Sequence, residues 1–236
     1  VQRLEDVGSL ICDASSYCEI CEYPALCEDQ RREQNHLQLV AGITRNQIES
    51  LNRAGVKTVA QLASFSGETD KLSTEATQKL ATQARLQQQT YDTGENFIEV
   101  INRAELEKLP KLNPGDIFFD LEGFTFFEEA GGLEYLFGYT SVENGEEFHF
   151  EWADDRESEK VSFERFMAEV LNRQKLYPGC KIYHYANYEQ AALKRLAERF
   201  GSYRAEVEHL IENGVFIDLY KVVKAAMLIS QESYSI

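Results

Sequence analysis

The sequence predicts an α/β fold, a mixed sheet flanked by helices, preceded by a small all-α module. Three observations predict it. From Ile117 onward the apolar segments follow the order strand, hairpin, helix, strand, helix, strand, helix, the pattern of a sheet with helical crossovers. Between His36 and Gly94 the chain reads instead as short helices joined by glycine-containing apolar turns. The third observation is the strand Ile117-Phe118-Phe119-Asp120-Leu121-Glu122-Gly123, in which an apolar run carries two carboxylates one residue apart.

Successive side chains on a strand point to opposite faces, so Asp120 and Glu122 project together while Leu121 turns to the other layer. Two carboxylates about 7 Å apart on a half-buried strand repel each other and resist desolvation, and a divalent cation supplies the missing positive charge. The alternative is a solvated strand end with no chemistry. An acidic, glycine-containing loop follows as far as Gly132, and residues 133–142 and 146–152 then read as a hairpin turning at Glu143-Asn144-Gly145. Residues 158–174 read as a helix, with Ser158 as its cap and apolar positions at Val161, Phe163, Phe166, Val170 and Leu171. Residues 180–185 form a short strand, and Asn187-Tyr188-Glu189 opens a helix carrying Ala191, Leu193 and Leu196. Residues 215–219 supply a further strand, and residues 220–226 follow it. Asp218, at a strand-to-helix junction, is expected to cap that helix, and His184, between two tyrosines, to be packed or hydrogen-bonded.

This order and the Asp-Leu-Glu-Gly strand resemble the ribonuclease H-like fold of DEDD-type 3′ to 5′ exonucleases, in particular the exonuclease-like domain joined to RecB-type nuclease domains in predicted bacterial nucleases. The resemblance covers the C-terminal half of the chain. It implies a catalytic set of Asp120, Glu122 and Glu189, with Asp120 and Glu122 as metal ligands. Glu189 stands where the family's second motif has Asp, and its extra methylene moves the carboxylate further from the backbone. The third motif, a Tyr or His followed by Asp on the last helix, finds no match before Ile236. The implied chemistry is phosphodiester hydrolysis of DNA, with two ions roughly 3.5–4 Å apart clamping the attacking and leaving oxygens. Asp120 would bridge both ions and Glu122 would hold one. Magnesium or manganese suits such carboxylate and water oxygens. Without the third acid the second ion lacks a ligand. A catalytically degenerate nucleic-acid-binding or scaffolding module of a larger nuclease is therefore the rival expectation.

Four of the five cysteines fall at Cys12, Cys18, Cys21 and Cys27. Their clustering, with no secretory signal ahead of it, points to metal ligation rather than disulfides. The Cys18, Cys21, Cys27 spacing resembles the C-terminal cysteines of the iron-sulfur staple in RecB-type nucleases. Cys12 would complete a set suited to zinc or to a four-iron cluster, so three readings stand: an incomplete iron-sulfur site, a zinc-organised interaction module, and chance.

The helical module resembles helix-hairpin-helix motifs, whose turns present backbone N–H groups to nucleic-acid phosphates. A plain helical spacer is the equal alternative, since only Arg45, Arg53 and Lys57 offer cations near the turns. The expected organisation is a cysteine-bearing tail over 1–35, the helical module over 36–95 and the exonuclease-like domain over 96–236, with residues 86–94, rich in Gln and Thr, as linker. The chain does not open on Met and ends at Ser233-Tyr234-Ser235-Ile236, which reads as a piece of a longer protein. Expected partners are DNA, bound through its backbone, and the remainder of that chain, a nuclease core with or without a helicase.

Forty acidic against twenty-four basic residues give a net charge of −16, which excludes the broad basic surface of a tight phosphate binder. Weak, salt-sensitive binding along Lys181, Lys194, Arg195 and Arg199 is what remains. With 43% hydrophobic residues the chain can bury a sizeable core, and no apolar run approaches the roughly 20 residues of a bilayer span. A cytoplasmic setting is expected.

Overall fold

A computed structural model describes residues 16–127, 131–143, 145 and 147–235. A short 3₁₀ turn at Ser16–Ile20 precedes α1 (Pro24–Glu33), α2 (Arg45–Arg53), α3 (Val59–Ala63), α4 (Thr74–Thr93) and strand β1 (Ile98–Val100). Next come α5 (Arg103–Glu107), β2 (Ile117–Phe124), β3 (Leu133–Ser141), β4 (Phe148–Trp152) and α6 (Arg156–Leu176). The rest is β5 (Ile182–His184), α7 (Tyr188–Phe200), α8 (Arg204–Glu212), β6 (Phe216–Asp218), α9 (Leu219–Ala226) and β7 (Met227–Ile229).

Two compact units divide these elements. The described residues up to Asn102 together with those from Ala226 onward form one, and Arg103–Ala225 form the other. The expected boundary at 95/96 thus lies seven residues early, and 226–235 leave the unit expected for them. The reason is a pairing of distant segments: β7 lies antiparallel to β1, with Ile98 opposite Ile229 and Val100 opposite Met227. Nothing in the local sequence of either three-residue strand announces its partner.

In the first unit, α2 and α3 start on side-chain caps, Thr44 accepting from Gln47 N and Thr58 from Gln61 N. Gly55, at φ +83°, makes the left-handed turn between them, a backbone shape that any Cβ would strain. Leu37, Leu51, Val56, Val59, Leu62 and Ala84 close the core of this module. One 20-residue helix, α4, then runs from the Ser73 cap to a left-handed Gly94. Residues 86–93 are therefore helix, not linker. Two glutamines of α4 serve as buried brackets: Gln87 donates to Leu39 O (2.7 Å) and accepts from Ala41 N (2.9 Å), while Gln83 donates to Ile229 O (2.8 Å). An amide offers donor and acceptor together, so it can satisfy a buried loop backbone that an aliphatic side chain would leave unpaired.

The second unit is built on a five-stranded mixed sheet in the order β4-β3-β2-β5-β6. β2 is central, antiparallel to β3 and parallel to β5. Its burial alternates strictly from Ile117 to Glu122. Ile117, Phe119 and Leu121 enter a core shared with Phe163, Phe166, Met167 and Val170 of α6 and Leu193 and Leu196 of α7. The Phe119 and Phe166 rings stack at 4.0 Å between centroids. Asp116, fully buried at the mouth of β2, accepts from Lys181 N (2.6 Å) and Asn113 N (2.8 Å), and so ties the start of β5 to β2. α6 begins one turn earlier than expected: Asp155 is its cap, and Ser158 answers from the third helical position in a capping box.

Two outcomes follow for stability. Phe163→Ala, at a site with no exposed area, is expected to cost about 3–5 kcal/mol in urea unfolding monitored by circular dichroism. Hydrogen bonds from Arg53 and Ser50 hold the Asp70 carboxyl down to about 2, below its unfolded value of 3.8. That contribution is complete above pH 4 and disappears as the pH falls through 2. Asp70→Asn is therefore expected to flatten the acid limb of the first unit's stability profile across that window.

Candidate active site

The regular alternation of β2 carries Phe118, Asp120 and Glu122 together onto the face opposite the helical core, where all three are exposed. The register sets their neighbours. Asp120 lies opposite Gly138 and Glu122 opposite Leu136 on β3, and beyond them Phe150 and Trp152 on β4. Gly138, opposite Asp120, is covered by the Phe148 ring, which a Cβ there would approach to 2.6 Å, so only glycine admits the ring at this position. Phe118 stacks on Tyr183 of β5 at 5.0 Å, and Phe148 on Phe150 at 5.8 Å. Phe118, Phe124, Phe148, Phe150 and Trp152 remain 41% to 59% exposed, an aromatic surface around two carboxylates.

Glu189 is placed elsewhere. It is 3% exposed, and its carboxylate lies 3.2 Å from His184 Nδ1. The Gln190 amide nitrogen can only donate, so it gives its proton to His184 Nε2 (2.9 Å), leaving Nδ1–H to donate to Glu189. His184 is thus the packed, hydrogen-bonded residue its surroundings implied. Asp218 caps α9, accepting from Lys221 N (3.4 Å), and its Oδ1 also takes Ala186 N (3.1 Å). That second bond matters because Ala186 sits at φ +73°, left-handed backbone that an alanine adopts only when held there.

The donor chemistry of Asp120 and Glu122, hard oxygens open to solvent, fits a divalent ion that keeps part of its water shell. Among the described residues no group of three or more His, Cys, Asp or Glu converges on one point, so Glu189 is not gathered with the pair. The same holds for the cysteines. Cys18 lies in the 3₁₀ turn and Cys27 in α1, with Cys21 between them, all reduced and partly exposed, and Cys12 falls outside the described residues.

Most of the cations expected to face phosphate are used internally. Arg195 pairs with Glu134, Arg199 with Glu159 (3.0 Å), Arg53 with Asp70 (2.7 Å), and Lys181 donates to Gly214 O (2.8 Å). At the helix-hairpin-helix-like turn, Thr44 N and Gln47 N are taken up by the capping box and Lys57 N by Gln61 Oε1 (2.8 Å), which favours the spacer reading.

Two further acids at the end of this sheet belong to no motif in the sequence. Glu134, 2% exposed inside β3, accepts from the Tyr188 hydroxyl (2.7 Å) as well as from Arg195. Glu159, with no exposed area, is held by Arg156 and Arg199 and accepts from Glu134 N (2.7 Å). Burial and the Glu134 carboxylate push the Tyr188 hydroxyl up to about 12. One signal was present: Glu134 is a lone acid in the aromatic run Leu133-Glu134-Tyr135-Leu136-Phe137, and such an acid needs a partner when the strand is buried.

A model of the RNase H superfamily matches residues 117–236, from the first residue of β2 to the end of the chain. The chain belongs to the RNase H superfamily. Its sheet is accordingly an RNase H-like one, and the match assigns this segment to a superfamily whose nucleases generally work with divalent metals. The match does not extend to the cysteine tail, whose RecB-type character rests on resemblance only. No curated protein and no solved structure matches the chain. Among the described residues no helix is long and apolar enough to cross a membrane.

The backbone strain at Ala186 is open to a direct check. Ala186→Gly is expected to raise stability by up to about 1 kcal/mol in urea unfolding, because glycine adopts φ +73° without a Cβ clash.

Proposed function

We propose that this RNase H-like domain hydrolyses phosphodiester bonds of DNA in a metal-dependent reaction centred on Asp120 and Glu122, acting from the 3′ end of a strand. The observation that carries this reading is the pairing of the two carboxylates on the open face of the central strand, inside the segment that matches the superfamily. A bound magnesium or manganese ion would polarise the phosphoryl group and activate water. The chain's own part is to present two oxygen donors on a rigid strand, beside the Phe148 ring that Gly138 admits opposite Asp120. The exposed rings of Phe118, Phe148, Phe150 and Trp152 support contact with unstacked bases, because every base has a flat face and stacking demands no sequence. The net charge of −16 and the internal use of Arg195 and Arg199 support weak, salt-sensitive binding.

One observation favours a second reading, a catalytically degenerate module that binds nucleic acid or scaffolds a larger nuclease. Glu189 is engaged by His184 and is not directed to the carboxylate pair, so the pair serves one ion more readily than two.

Manganese titration by calorimetry combined with a cleavage assay separates the two. The protein is expected to bind manganese, and the Asp120→Ala, Glu122→Ala double variant to lose that binding. Cleavage of a 3′-labelled single-stranded oligonucleotide is expected to fall by about a hundredfold in Asp120→Ala, equivalent to roughly 3 kcal/mol of transition-state stabilisation. Manganese binding without any cleavage would select the degenerate module.

A further inference from the structure

The strand pairing that presents Glu122 changes register one residue later. Glu122 lies opposite Leu136 but Gly123 lies opposite Glu134, so Tyr135 is the extra residue of a bulge. The bulge ends the regular pairing immediately after Glu122, so the course of the backbone that carries this carboxylate depends on how the bulge is held. Something must hold the bulge where it is.

The structure places a three-residue lock there. Glu134 is buried inside β3, and both its oxygens are satisfied from α7: one accepts from the Tyr188 hydroxyl (2.7 Å), the other from the Arg195 guanidinium. The Arg195 guanidinium also lies over the Tyr188 ring, 5.9 Å from its centroid. These groups occupy the space a side chain at 123 would need, since a Cβ on Gly123 would collide with both the Tyr188 hydroxyl and the Glu134 carboxylate. Gly123 is therefore the residue that fits, and it fits in one register. The Glu134 backbone is fixed as well, its N–H donating to the buried Glu159 (2.7 Å).

As a source of stability the arrangement is a poor choice. Burying a carboxylate costs several kcal/mol before its partners compensate, and apolar residues of similar size commonly serve as well. Its value lies in its position, one residue from a candidate metal ligand. We propose that Tyr188 and Glu134 are positioning residues that fix the β3 bulge against Gly123 and so set the backbone that aims the Glu122 carboxylate beside Asp120. This inference rests on the reading of Asp120 and Glu122 as a metal site. Tyr188 and Glu134 touch neither ion nor substrate in this account and act through Glu122.

The test uses manganese affinity, by calorimetry, together with the melting temperature, for the wild type, Tyr188→Phe, Glu134→Gln and the Asp120→Ala, Glu122→Ala double variant. Tyr188→Phe keeps the ring and removes only the hydroxyl, so it is expected to fold. Manganese affinity is expected to fall about tenfold in Tyr188→Phe and Glu134→Gln, the lower end of what residues orienting metal ligands show, while the folded fraction at the assay temperature stays complete. Unchanged affinity in both variants, with wild-type binding lost in the double variant, would overturn the lock and leave the metal site standing. No manganese binding in the wild type, or equal binding in the double variant, would overturn the metal site and the lock with it.

Discussion

The register of β2 is the constraint on which the second unit depends. One strand must send Ile117, Phe119 and Leu121 into the core and Phe118, Asp120 and Glu122 out of it, and a period of two leaves no freedom to do one without the other. The apolar set fixes the phase, because three buried side chains on one face are worth several kcal/mol of transfer free energy. The carboxylates are placed by that choice. Their shared face is a consequence of the core behind them, and the aromatic surface of Phe148, Phe150 and Trp152 follows from the same registers carried across β3 to β4.

The acids divide into two populations that meet at Gly123. Asp120 and Glu122 are exposed and gathered with no third His, Cys, Asp or Glu among the described residues. Glu134, Glu159 and Glu189 are buried and engaged, the first two by the arginines of α6 and α7 and the third by His184. The internal pairing of Arg195 and Arg199 explains why an acidic nuclease-type domain presents so little basic surface: those cations neutralise buried carboxylates, and phosphate would have to compete with them. On the proposed reading, the positive charge at Asp120 and Glu122 would come from a bound ion.

The strands with strong periodic or turn signals were legible in the sequence. Ile117 to Gly123, the hairpin around Gly145 and the helix carrying Phe163, Phe166 and Val170 each encode their structure within a short window. The elements that were not legible lack such a window. β1 and β7 are three residues each and exist only as partners of one another, and α8 offered no cap of its own, since the residue before it is Tyr203 at φ +57°. The linker expected over 86–94 failed for a different reason. Gln and Thr are polar in composition, yet Gln87 is buried because the Leu39 and Ala41 backbone needs both its donor and its acceptor.

By itself the sequence determined the succession of strand, hairpin and helix along the C-terminal half, the shared face of Asp120 and Glu122, and the shortage of basic residues, because alternation, turn chemistry and charge are local or summed properties. Only the tertiary structure decided the company each acid keeps. Glu189 and His184 are near in sequence, but that they are buried together, and that Glu134 meets Tyr188 and Arg195 from a helix some sixty residues on, depends on how α7 packs against the sheet. A carboxylate's role is set by whether water, a cation or a buried partner surrounds it, and the chain acquires those surroundings only on folding.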